Sequence, residues 1–143
     1  MTTSNVTLTA IWNVAAPGTP GTPTVSAGDG NATITVVAPS SGGAPTSYTV
    51  TASPGGATCT VISPATSCTI TGLTNGVAYV FRVYATNGAG LGAASTWVTT
   101  SPVAPPAAVA SVTALALTGG ATLQWTAPTD NGGAEIVGYM VQK

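Results

Sequence analysis

The sequence predicts an all-β chain of antiparallel sandwich modules in tandem, and three observations carry that expectation. Short runs of apolar residues alternate with threonine at period two, and Gly- and Pro-rich turns separate them. Hydrophobic residues make up 44% of the 143 and charged residues only 3%, so the chain is too apolar and too weakly charged to resemble a disordered segment. Finally, the sequence repeats. Residues 32–50 read ATITVVAPSSGGAPTSYTV and residues 121–141 read ATLQWTAPTDNGGAEIVGYMV, with the Ala-Thr starts 89 positions apart and the shared tyrosines, Tyr48 and Tyr139, 91 apart. That spacing suits one small sandwich domain rather than a solenoid unit.

The elements follow in chain order. Val6–Trp12 alternates like a strand and precedes a Pro-rich connector, so residues 1–16 are expected to be the terminal strand of a preceding β domain. A complete domain is then expected over 17–102. Pro23–Val25 opens it, Gly28-Asp29-Gly30 supplies a tight turn, and Ala32, Ile34 and Val36 give the next strand an apolar face opposite Thr33 and Thr35. Tyr48, Val50 and Ala52 repeat the pattern. Tyr79, Phe81, Val83 and Ala85 form the longest inward row, with Val80, Arg82 and Tyr84 on the other face. A glycine-rich loop is expected over 88–92 and a last strand over 96–99. From 103 to 143 the pattern restarts and supplies the first half of a second domain, with three strands expected.

The stretch TGLTNGVAY at 71–79 makes the resemblance specific: it is similar to the corner of fibronectin type III domains, and the likeness extends over residues 20–102 and again over 106–143. The resemblance implies a seven-stranded, immunoglobulin-like antiparallel β-sandwich. It also implies that Leu73 and Tyr79 are the corner residues, with the Tyr79 ring buried and its hydroxyl bonded to backbone upstream. Val36 departs from the family, which usually has Trp in that strand, whereas Trp125 fills the position in the second copy. The Thr-rich, charge-poor composition looks like modules of bacterial or phage surface and secreted proteins more than those of animal matrix.

Cys59 and Cys68 flank Ser63-Pro64 symmetrically, so a hairpin centred there would set them opposite each other within disulfide reach. In the usual fibronectin topology these strands lie in different sheets, and the bond would staple the sandwich edge instead. The competing reading is a pair of reduced cysteines packed as small hydrophobes. An even pair in such a chain suits an oxidising compartment, and the expectation is a disulfide.

Other residues point away from chemistry. With a net charge of −1 there is no field to draw nucleic acid or an anionic membrane. Val103–Leu117, the most apolar stretch, contains Pro105 and Pro106 and fails as a spanning helix, so no direct membrane insertion is expected. The first residues lack the basic start and apolar core of a secretory signal. There is no His, and Asp29, Asp130 and Glu135 are the only carboxylate side chains, so no catalytic residues, no metal site and no cofactor are expected. Asp130-Asn131-Gly132 resembles the start of a calcium loop but lacks its further ligands, and a turn is expected there. The 87–93 loop stands where some fibronectin modules carry an integrin-binding Arg-Gly-Asp, and those residues are absent. Asn5 and Asn31 open glycosylation sequons that arise readily in a Thr-rich chain.

Trp12, Trp97 and Trp125 are the candidates for a domain-junction or strand-exchange surface, against the plainer reading of burial at the core edge. Trp125, Leu123, Tyr139 and Val141 would face a sheet that the half-domain lacks, to be covered by continuing sequence or by a second chain, to which Val6–Trp12 offers a strand. The expected function is therefore a non-catalytic spacer, stalk or filament subunit of an extracellular or surface-displayed tandem protein. Its expected partners are neighbouring sandwich domains or copies of itself. The alternative is an adhesive or carbohydrate-associated module, with a cell-surface or polysaccharide ligand, in a secreted enzyme or a phage virion protein.

Overall fold

The computed structural model describes residues 14–142, so the expected strand at Val6–Trp12, Trp12 included, lies outside the described residues. Two sheets build the complete module. In the first, β1 (Gly21–Gly28), β2 (Asn31–Val37) and β5 (Ser67–Thr71) lie side by side in the order β1-β2-β5. In the second, β4 (Thr58–Ile62), β3 (Ser47–Ser53), β6 (Tyr79–Asn87) and β7 (Gly90–Ala94) follow one another, and β8 (Val98–Thr100) also pairs with β6. Every pairing is antiparallel.

Period-two patterning decides which face of each strand turns inward. Ala32, Ile34 and Val36 from β2 meet Tyr48, Val50 and Ala52 from β3, with Tyr79, Phe81, Val83 and Ala85 from β6, and all ten are buried. Ile34, Val50, Phe81 and Val83 show no exposed surface. Val61, Ile70 and Leu73 close the core at its edges. On the opposite faces hydroxyls stand where charges would otherwise be: Thr33 and Thr69 share a 2.9 Å hydrogen bond between β2 and β5, a cross-strand pair of the kind that stabilises sheets without ions. Gly30, at φ +62°, makes the β1–β2 turn in a conformation that side chains resist.

Two expectations are corrected. The glycine-rich segment is not one loop over 88–92: β6 turns back at Asn87–Gly90, and β7 begins at Gly90. The last strand is broken in two. The Ser95 amide donates to the Val83 carbonyl and the Ser95 hydroxyl accepts from the Val83 amide, so one residue takes both of its neighbour's backbone groups. Pairing with β6 then resumes at Val98 rather than at Thr96. Threonine alternation read locally does not register such a break.

Beyond the module, β9 (Ala110–Leu117) and β10 (Gly120–Thr126) form a separate antiparallel hairpin. The third strand expected around Tyr139–Val141 does not form among the described residues. In the complete module the corresponding strand, β3, is held between β4 and β6, and the second copy offers no described counterpart of either.

Candidate functional site

The corner that joins β5 to β6 is fixed by backbone bonds and one phenol. Leu73 is buried and its amide donates to the Gly30 carbonyl at 2.9 Å, tying the corner to the β1–β2 turn. Tyr79 lies in the core with its ring centroid 6.4 Å from that of Phe81, and its hydroxyl accepts a hydrogen bond from the Thr74 amide at 3.0 Å. The sheet periodicity buries the ring, and the chain reversal at Gly76 (φ +78°) brings Thr74 back over the hydroxyl.

Cys59 on β4 and Cys68 on β5 are joined in a disulfide, with their Cα atoms 6.1 Å apart. β4 pairs with β3 and β5 with β2, so the bond links the two sheets across the open edge of the sandwich. The symmetric-hairpin geometry is thereby replaced by the cross-sheet one: no ladder joins β4 to β5, and the two ends of the 63–66 connection enter different sheets.

Trp97 is 63% exposed, and the Arg82 guanidinium lies 4.8 Å from its ring centroid. Register explains the pairing. Phe81 opposes Val98, which leaves Trp97 beside Arg82 on the outward face of the β6 sheet, where Thr51, Ser53 and Val80 line a shallow cleft next to it. A stacked cation of this kind contributes roughly 0.5–1 kcal/mol at an exposed site and holds the indole in place. Alternation alone put Arg82 outward, but its partnership with Trp97 needed the β6–β8 register, so the sequence reading missed it.

Trp125 occupies β10 opposite Val112 and packs edge-on against Tyr139, 5.3 Å between centroids. Both aromatics remain partly open, and Val109, Val112, Leu123, Met140 and Val141 border the same cleft. Asp130 and Asn131 form a turn: their side-chain oxygens accept the amides of Gly132 at 2.8 Å and Gly133 at 3.0 Å. No group of three or more His, Cys, Asp or Glu gathers as a metal set among the described residues. What these surfaces offer chemically is packing, stacking and neutral hydrogen bonding.

Residues 18–101, more than half of the chain, match the family model described as the fibronectin type III domain. Among named proteins, the chain is similar to endoglucanase B of Cellulomonas fimi, 43% identical over 81 residues, covering 51% of this chain and 8% of that protein. It is likewise similar to chitinase A1 of Niallia circulans, 45% identical over 85 residues, 53% of this chain and 12% of that protein. The chain thus spans only a small part of the relatives it matches. Among solved structures, a crystal structure of domains from titin superposes with a TM-score of 0.51 at 28% identity, covering 61% of this chain and 32% of that one.

Proposed function

This chain belongs to the fibronectin type III family, and from that premise we propose that it is a non-catalytic spacer segment of an extracellular tandem-repeat protein. Its role is to hold neighbouring parts of a secreted or surface-displayed protein apart at a set distance. One observation carries the reading: the segment between β8 and β9 is bonded to both copies rather than running free. The Pro102 carbonyl accepts the Gly76 amide of the complete module at 2.9 Å, while Ala104 and Ala107 donate to the carbonyls of Gly132 and Asp130 in the second copy at 2.8 and 3.0 Å. The cross-sheet disulfide supports the extracellular setting, since such bonds persist in oxidising compartments.

The test is a replacement within the full-length protein. Exchanging residues 17–102 for an unrelated sandwich of similar span should preserve display and activity of the neighbouring parts, whereas deleting them should not. A replacement as damaging as the deletion would refute a spacer role, because the module's own surface would then carry the function.

A second reading, contact with polysaccharide, is favoured by the exposed Trp97, stacked with Arg82, in a chain similar to an endoglucanase and a chitinase. An indole face stacks on the apolar face of a sugar ring as it does on any planar or apolar group. Retention on insoluble cellulose or chitin that disappears in Trp97→Ala would support it; no retention of the unaltered chain would dismiss it.

A further inference from the structure

We propose that the chain contains a rigid inter-module joint, in which the Gly132-Gly133 loop of one module seats on the Asn75-Gly76 turn of the module before it. The proposal rests on the spacer reading and adds that the spacer has a set angle. The turn is held from within its own module: the Asn75 side-chain oxygen accepts the Gly30 amide at 2.9 Å, and its side-chain nitrogen donates to the Asp29 carboxylate at 2.8 Å. It therefore presents a fixed backbone surface at the end of the sandwich where β1 turns into β2 and β5 into β6.

Against that surface only glycine fits. A Cβ on Gly133 would overlap the Gly76 amide nitrogen and fall 2.9 Å from the Asn75 Cβ, and one on Gly76 would lie 3.1 Å from the Gly133 Cα. A Cβ on Gly132 would overlap the Ala104 carbonyl of the linker. Gly132 is buried although most of the second copy's described surface is open, and the atoms that a Cβ there would meet first are those of Ala104 and Pro105 in the linker. The approach is backbone to backbone, which excludes free swivelling at this point.

The complete module carries the complementary half at its other end. Gly42 pairs with Pro17, the Gly43 amide donates to the Ala16 carbonyl at 3.2 Å, and a Cβ on Gly42 would overlap that same carbonyl, repeating what Gly132 does with Ala104. Asn87 adds a 2.8 Å bond from its side-chain nitrogen to the Ala15 carbonyl. The Gly42-Gly43 loop and the Asp29-Gly30 turn stand at opposite ends of β2, so the module has a seat at one pole and at the other a Gly-Gly loop of the kind that fills such a seat, with Gly43 packed on the Ala15 carbonyl and the Asn87 side chain. The partner each pole fits is an adjacent module of its own kind in the same chain, joined by an Ala-Pro linker and bearing a Gly-Gly loop or an Asn-Gly turn.

Amide hydrogen exchange on the 143-residue chain tests the joint. The Gly76 and Ala104 amides should be protected, and protection should not change on dilution. Gly133→Asn separates crowding from backbone strain, because Asn tolerates the positive φ of +85° while its Cβ cannot fit against Gly76. It should speed exchange at Gly76 and Ala104 by about tenfold or more while the Val83 amide in the core stays protected. Gly119→Asn, at φ +83° with nothing within 4 Å of its Cβ, should leave both amides unchanged.

Unprotected Gly76 and Ala104 in the unaltered chain, or unchanged protection in Gly133→Asn, would overturn the joint while leaving the spacer reading standing. Protection lost on dilution would overturn it too, by placing a second chain in the seat. Should Gly133→Asn also release Val83, Asn75→Ala decides: faster exchange at Ala104, whose amide bonds to Gly132 of the second copy, with Val83 still protected supports the joint, and no change there refutes it.

Discussion

Replacing both Cys59 and Cys68 by serine removes the bond across the open edge of the sandwich while nearly conserving side-chain volume. The bridge spans nine positions of sequence, and a loop that short restricts the unfolded chain by about 2.7 kcal/mol in the chain-entropy account. The fibronectin match covers 84 residues, from 18 to 101. At about 2.1 cal/mol/K of unfolding entropy per residue, that corresponds to about 0.18 kcal/mol/K, so the loss should lower the melting temperature by about 15 °C. The two cysteines sit on β4 and β5, which share no backbone ladder that could hold the strands together in the bridge's place. Mass measurement after alkylation without reductant should first show no added groups on the unaltered protein. Calorimetry of the two proteins then reads the shift. A fall of less than about 5 °C would refute the loop-entropy reasoning, by implying an unfolded chain already restrained at this segment or a native bond that stores compensating strain.

Other substitutions probe the core and the surfaces. Tyr79→Phe should cost about 1–2 kcal/mol, because the Thr74 amide loses its acceptor in a part-buried corner, and faster exchange at that amide would accompany it. Phe81→Ala, at a site with no exposed surface, should cost about 3–5 kcal/mol in denaturant unfolding and is the substitution most damaging to the fold. Trp97→Ala should cost no more than about 1 kcal/mol in the same assay, since the indole is 63% exposed and gives up chiefly its stacking with Arg82. Trypsin should cut the native protein slowly after Arg82, whose backbone is paired with Thr51 of β3 and whose neighbour Phe81 is paired with Val98 of β8, and raising salt should barely move the melting point of a chain with two basic and three acidic residues. Rapid cleavage at Arg82 would show that β6 opens.

Much of the fold was legible in the residues themselves, because the signals involved are local. Alternation at period two named the inward rows of β2, β3 and β6, since side chains on a strand necessarily point to opposite faces. The repeated Ala-Pro, Gly-Gly and Tyr-x-Val revealed a second copy, and TGLTNGVAY marked the fibronectin corner. What needed the third dimension was register and the meeting of distant segments. The break at Ser95 depends on which backbone groups of Val83 it faces, and Trp97 meets Arg82 only because Val98 opposes Phe81. Symmetry about Ser63-Pro64 was compatible with a hairpin or a cross-sheet bond, and the choice fell to the partners that β4 and β5 take in separate sheets. The Gly-Gly pairs were visible as repeat markers, but glycine is also the ordinary residue of turns. Only the approach of other backbone, the Asn75-Gly76 turn at Gly133 and the carbonyls of Ala104, Ala16 and Ala15 at Gly132, Gly42 and Gly43, shows that these positions have no room for a side chain, because such crowding arises between segments far apart in sequence.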